Sequence, residues 1–177
     1  MKCTRCKATA AVALPSHNAG FCPDCFGVFF SRQVEKAIKE KQLFSKEDKI
    51  LIALSGGKDS LALARQLQLL GYNIAGLHID LAIPGSSVKA RDHVERFCRD
   101  FGVDLHVLEM EREGMPIFEV KKKFNRPVCS VCGRIKRYYF NKFALDNGFN
   151  VLATGHNLDD EAARLFSNVC LLYTSDA

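Results

Sequence analysis

Lys49-Ile50-Leu51-Ile52-Ala53-Leu54-Ser55-Gly56-Gly57-Lys58-Asp59-Ser60 is the stretch that decides the fold of this chain. Its first six residues form an apolar run of strand length. Two glycines interrupt the run, and a helical pattern over residues 60–70 follows at once. A strand feeding a helix through a glycine turn aims backbone N–H groups at one spot, where phosphate can sit at the helix N-terminus. Gly56 and Gly57 permit close approach, Lys58 adds a point charge, and Ser55 and Ser60 add hydroxyls. Asp59 alone would repel phosphate, so it is expected to hold Mg²⁺ or to cap the helix. The spacing is not G-x-x-x-x-G-K-[ST], which disfavours a P-loop kinase or GTPase.

Outward from this point, strand-like runs at 73–78, 104–108 and 150–154 alternate with helical patterns at 87–101, 132–147 and 158–168. Gly71, Gly102 and Gly148 stand where helices should end. The alternation predicts an α/β domain, a doubly wound parallel sheet. Ligands of such sheets bind beyond the carboxyl ends of the strands, so the loops after Leu54, His78 and Thr154 should carry the chemistry. The last of these reads Thr154-Gly155-His156-Asn157-Leu158-Asp159-Asp160-Glu161. There Asp159 or Asp160 can hold Mg²⁺ on a triphosphate, or simply cap a helix. His78 and Asp80 close the second strand, where His78 can equally be an inert strand-end residue.

The 177 residues, 47% of them hydrophobic, suit one ordinary domain with a small appendage. No apolar run is long enough to cross a membrane. The first residues lack the pattern of a secretory signal, so cytoplasm is the expected compartment and no membrane partner is expected. Six of the eight cysteines fall in C-x-x-C pairs, which favours metal over a secreted disulfide framework. The formal net charge of +5 is modest, but Lys121, Lys122, Lys123, Arg126, Arg134, Lys136 and Arg137 crowd one stretch. Such a run suits a polyanion, with a solvated basic face as the plainer alternative.

Cys3 and Cys6, then Cys22 and Cys25, have the two-knuckle spacing that surrounds one tetrahedral Zn²⁺ with four thiolates. Disulfides or free thiols are the alternative. A segment this short needs such a staple, and the closed ligand set predicts a structural site. The expected organisation is a zinc module at 1–30, a connecting helix within 31–48, an ATP-binding domain at 49–169 and a tail at 170–177. Cys129 and Cys132, at the start of a basic helix, are a pair without a partner pair downstream. They can be a redox dithiol, a persulfide carrier or two ligands of an iron–sulfur cluster. Cys98 reads as a buried small hydrophobe.

Three segments, SGGKDS at 55–60, PVCSVCGRIKRY at 127–138 and TGHNLDDEA at 154–162, together resemble the PP-loop tRNA 2-thiolation family of TtuA and TtcA. The leading cysteine pairs are similar to its TtuA branch. The resemblance implies an adenine nucleotide alpha hydrolase-like fold and an enzyme that adenylates the C2 oxygen of a tRNA base with ATP before sulfur displaces AMP. It implies that residues 55–60 hold the phosphates, with Asp59 central, and that Ala53, His78 and Ile79 line the adenosine side. Lys136, Gly155 and Asp160 would complete the site. Asp59, Cys129, Cys132 and Asp160 would carry the chemistry, the two cysteines as ligands of a [4Fe-4S] cluster whose third cysteine lies far downstream. A ubiquitin-like sulfur carrier and a homodimer are the further partners implied. The family pattern continues past residue 168, so the chain is expected to be truncated at its C-terminus, with residues 170–177 a non-native tail. Two alternatives stand beside this reading: another adenylating ligase or amidase such as a tRNA lysidine synthetase, and a non-catalytic zinc and tRNA-binding fragment. Cys129 and Cys132 discriminate against the first, whose chemistry needs no sulfur.

Overall fold

The computed structural model describes residues 1–83, 85–113 and 128–174. The chain divides into two compact units, Met1–Lys46 and Glu47–Ala177. In the first, β1 (Val12–Leu14) pairs antiparallel with β2 (Ala19–Phe21) across a 3-10 turn at Pro15–His17. Helix α1 (Pro23–Glu40) follows. It begins well before residue 31, where periodicity alone placed it. Pro23 sits in its first turn, where the missing N–H costs nothing, and Asp24 complements the helix dipole there. Cys25 is therefore a helical residue. The core of this unit is Cys3, Phe21 and Cys22, with Leu14, Ala19, Phe26 and Phe29 packed around them.

The second unit alternates β3 (Lys49–Ala53), α2 (Lys58–Leu69), β4 (Asn73–Asp80), α3 (Ser86–Phe101), β5 (Asp104–Glu109), α4 (Val128–Asp146), β6 (Val151–Thr154) and α5 (Leu158–Thr174). The strands form one parallel sheet in the order β5-β4-β3-β6. Strand β3 is central, and Ile50, Leu51 and Ile52 are fully buried, as a strand covered on both faces requires. Each such side chain contributes roughly 1.5–3 kcal/mol by leaving water. Leu51, Ala75, Leu77 and Ile79 share one face with Tyr139 and Ala144 of α4. Alternation puts Ile50, Ile52 and His78 on the opposite face, the side of α2 and α3. Strand β4 continues to Asp80 because β5 pairs with it through Asp80 and Glu109.

From β3 the chain moves to β4 and β5 on one side, then returns to β6 on the other. The carboxyl ends of β3 and β6 thus flank a topological switch point, where open α/β sheets leave a crevice. Helix α5 runs through residue 174, with Leu158, Leu165 and Phe166 exposed. No described helix is long and apolar enough to cross a membrane.

Candidate functional site

The loop after β3 is knotted by two serine hydroxyls. The buried Ser60 hydroxyl donates to the Gly57 carbonyl at 3.0 Å and accepts from the Ser55 backbone N–H at 3.3 Å. Its single proton is then spent, so the 3.1 Å contact between the two hydroxyls is Ser55 donating to Ser60. Ser55 Oγ in turn accepts from the Gly57 N–H at 3.3 Å. Gly56 turns the chain with φ +81°, and a Cβ there would stand 2.7 Å from the Ala90 carbonyl oxygen of α3. The loop is thereby pinned from behind by backbone, while α2 starts at Lys58. Lys58 is exposed and pairs with Asp59 at 2.7 Å, which raises its pKa.

The loop after β6 closes against the same helix start. A Cβ on Gly155 would lie 2.7 Å from Ser60 N and 2.8 Å from the Asp59 carbonyl carbon, so the two loops touch backbone to backbone. Helix α5 opens with a reciprocal cap: Asn157 N–H donates to Asp160 Oδ2 at 3.0 Å, and Asp160 N–H donates to Asn157 Oδ1 at 2.9 Å. Asp160 is thus both a helix cap and a wall of the site.

Between these loops lies a cavity of about 320 Å³. Of the residues expected from sequence, Ala53, Ser55, Gly57, Asp59, Ser60, Ile79, Lys136, Gly155 and Asp160 line it. Gly56, Lys58 and His78 do not. The remaining lining comes from Leu54, Thr154, His156 and the α4 residues Gly133, Arg137 and Phe140. Gly133, Lys136, Arg137 and Phe140 are one helical stripe, at i, i+3, i+4 and i+7, so the period that identified the helix could also have identified this face. Two cations, Lys136 and Arg137, face two glycine-rich turns and two carboxylates, a charge arrangement that suits a polyphosphate with a divalent cation. Cys132, half buried and packed on the sheet core, directly precedes Gly133. Cys129 belongs to the first turn of α4, but its side chain lies outside the described residues, as do Lys121, Lys122, Lys123, Arg126 and residues 175–177.

His78 is buried beneath the cavity wall, its Nδ1 donating to the Leu54 carbonyl at 2.8 Å. That bond fixes the neutral tautomer with a lone pair on Nε2, which has no hydrogen-bond partner among the described residues. Burial pushes the pKa of the ring below its ordinary 6.5. As pH falls, the unfolded chain takes up this proton near 6.5, whereas the folded chain holds the ring neutral to lower pH. The stability contributed by the neutral ring is complete above 6.5 and is lost as the pH falls through the folded value. Denaturant midpoints should therefore decline below pH 6.5, with a slope from this group of up to about 1.4 kcal/mol per pH unit. His78→Phe is expected to remove that component, and an unchanged slope in the variant would refute the assignment.

In the first unit, Cys3, Cys6, Cys22 and Cys25 offer Sγ atoms that all lie within 4.8 Å of one another. The Cys6 and Cys22 sulfurs are 3.6 Å apart. A tetrahedral Zn²⁺ with bonds of about 2.3 Å sets its sulfurs about 3.8 Å apart, so the cluster fits a four-thiolate metal site. Backbone N–H groups of Cys6 and then Cys22 lower the Cys3 thiol to about 6, whereas Cys25 is pushed up to about 12, first by its hydrogen bond with Cys22. The thiol held low gives a cation its first thiolate ligand, and metal binding would displace the protons of the others. No other group of three or more potential ligands comes together among the described residues.

Residues 28–170 match the model of the PP-loop domain. The chain belongs to the PP-loop domain family. Residues 2–26 match a second model, the N-terminal LIM domain of 2-thiouridine synthetase TtuA. Among curated proteins, this PP-loop chain is 45% identical over 170 residues to a tRNA-5-methyluridine(54) 2-sulfurtransferase of Pyrococcus horikoshii, covering 96% of this chain and 54% of the relative. It is 42% identical over 171 residues to the enzyme of the same name from Thermotoga maritima, covering 96% and 56%. Among solved structures it is similar to the U34-tRNA thiolase NcsA from Methanococcus maripaludis with its [4Fe-4S] cluster, with a TM-score of 0.83 at 27% identity, over 96% of this chain and 58% of that one. The chain spans about half the length of the curated relatives it matches.

Proposed function

We propose that this PP-loop chain carries the nucleotide site of a tRNA 2-thiolation enzyme, which activates the C2 oxygen of a base with ATP and replaces it with sulfur. The observation that carries the reading is the cavity at the switch point, where two touching glycine loops meet the α4 stripe one residue after Cys132. A PP-loop ligase without sulfur chemistry would leave that thiol pair unused.

The chemistry follows from the reactants. A carbonyl oxygen is a poor leaving group, so the base oxygen first attacks the α-phosphorus of ATP, and the bond to pyrophosphate breaks. A sulfur nucleophile then adds at C2, and AMP departs with the oxygen. The first turn of α2, whose N–H groups have no acceptor within the helix, orients the triphosphate, and Lys136 and Arg137 balance the charge that develops on the departing pyrophosphate. Asp59 and Asp160 would hold Mg²⁺ on the phosphates. Cys3, Cys6, Cys22 and Cys25 would hold Zn²⁺, which supplies folding energy to the small unit. Cys129 and Cys132 would be two ligands of a [4Fe-4S] cluster, which would supply a carrier for the incoming sulfur. Two finer expectations, a ubiquitin-like sulfur carrier as donor and a cytoplasmic homodimer, complete the proposal on resemblance alone.

Incubation with tRNA, sulfide as the sulfur source and α-labelled ATP tests it. Labelled AMP should appear only when tRNA is present, and Cys132→Ala should retain tRNA-dependent pyrophosphate release while losing at least 100-fold in thiolated product, roughly the loss expected when a group acting directly in the chemistry is removed. Pyrophosphate release independent of tRNA, or thiolation at the parent rate in the variant, would overturn it.

A further inference from the structure

The formal net charge of +5 is unevenly placed: Met1–Lys46 carries eight Lys and Arg against three Asp and Glu, which accounts for all of it. The unit with the nucleotide cavity is balanced. Four thiolates around one Zn²⁺ would subtract two charges from that total and still leave the cysteine unit net positive, so it can attract a polyanion at long range.

Within that unit, the charge is not uniformly available. On α1, Lys36 pairs with Glu40 at 3.6 Å and Lys39 with Glu35 at 2.8 Å. The exposed side chains of Arg5 and Arg32 have no acceptor among the described residues, and both border one cleft of about 380 Å³. That volume lies in the range of small-ligand clefts, roughly 300–1,000 Å³. Gln33 and Thr4 stand at the same cleft. Thr4 Oγ1 accepts from the Gly20 N–H at 3.2 Å, which leaves the hydroxyl proton for a ligand. The floor is Phe21 stacked on Phe29, with ring centroids 4.9 Å apart. Cys25 also lines it, so a thiolate cluster fixes one wall.

We propose that this cleft is an RNA-binding subsite that takes one nucleotide of the strand. A phosphodiester bridges the guanidinium groups of Arg5 and Arg32, Gln33 and Thr4 donate to its oxygens or to the ribose, and the base or sugar edge rests on Phe29. Guanidinium forks match phosphate oxygens bidentately, and an apolar floor beneath a cationic rim is the arrangement that sequence-tolerant RNA contacts use. The subsite deepens the thiolation reading, since it names where the substrate strand is gripped apart from the nucleotide cavity.

The test is binding of an in vitro transcribed tRNA across a salt series, by fluorescence anisotropy. Each phosphate contact adds about 0.7–0.9 to the slope of log K against log salt, so the Arg5→Ala/Arg32→Ala double variant, which loses the one bridged phosphate, should lose about 0.7–0.9 of slope, which corresponds to roughly 5-fold to 8-fold weaker binding at 0.1 M salt. Metal content and ATP affinity should match the parent, which separates a lost contact from a lost fold. Arg5→Lys/Arg32→Lys should restore most of the slope. Lys36→Ala/Lys39→Ala removes the same net charge away from the cleft and should change the slope far less. Equal loss in both alanine pairs would overturn the proposal in favour of diffuse attraction, and so would parent-like binding in the arginine pair. An arginine pair that loses affinity for a poly-glutamate peptide but not for tRNA would assign the cleft to an acidic protein instead. If the parent binds tRNA with the expected slope but releases no AMP, the subsite stands and the thiolation reading fails.

Discussion

Gly155→Ala is expected to weaken ATP binding by roughly 5-fold to 150-fold while leaving the parallel sheet folded. The added methyl would stand 2.7 Å from Ser60 N and 2.8 Å from the Asp59 carbonyl carbon and from Ser60 Cα. Carbon atoms in favourable contact keep about 3.5–4.0 Å, so one of the two loops must retreat by most of an ångström. Neither can do so by rotating a side chain, because every atom met is backbone. On the α2 side, Gly56 already abuts Ala90, and the Ser55–Ser60 hydroxyl knot ties the turn internally. Overpacking of this kind costs about 1–3 kcal/mol, and a ligand that needs the close arrangement must repay it, hence the range of affinity loss. Gly57→Ala is the matched comparison: its methyl would meet only Ser55 Oγ, at 3.4 Å, on a backbone with φ −82°. Calorimetric titration with ATP alongside thermal melting separates the two effects. Parent-like affinity in Gly155→Ala would mean that the two loops do not jointly form the nucleotide cradle.

The same contact shows what the sequence could and could not disclose. An apolar run of strand length, a double glycine and a helical period are local signals, so β3, the turn and α2 were legible, as was the parallel alternation that follows. Gly155 was legible only through the resemblance, as one residue completing the nucleotide site. What it approaches is the start of α2, far away in sequence, and only the β3–β6 pairing brings the two together. Ser60 shows the converse, for a hydroxyl at a helix start looks like a free donor until the loop is closed and its proton is found on Gly57. Arg137 was legible only as one charge of a basic run, and Phe140 was missed, for a different reason. The resemblance places Lys136 alone at the nucleotide site, and the helical spacing that joins it to Gly133, Arg137 and Phe140 was not followed from it. Helix α1 was begun too late because its first turn is also a metal knuckle, and a C-x-x-C spacing says nothing of whether its backbone is loop or helix.

Removing the metal from the thiolate cluster is expected to unfold Met1–Lys46 and to spare the PP-loop unit. The two strands of the small unit have three residues each, and among its described residues the core cluster buries only Cys3, Phe21 and Cys22. Two of those three belong to the proposed ligand set, so a bound metal would occupy the place that a hydrophobic centre fills in a larger domain. Structural zinc supplies roughly 10–16 kcal/mol of apparent binding energy at neutral pH, more than the whole stability of most small domains. Cys22→Ser should therefore act on the entire unit, because Cys22 is both one of the four gathered thiols and the residue before Pro23 at the start of α1. Amide spectra of the full chain, recorded before and after chelation, would show this as collapse of the resonances of residues 1–46 with those of the parallel sheet in place. The guanidinium cleft would vanish with the fold, so tRNA affinity should fall at least as far as in the arginine double variant while ATP affinity holds. A metal-free chain whose first 46 residues keep their dispersed resonances would show that Phe21 and its neighbours suffice without a cation.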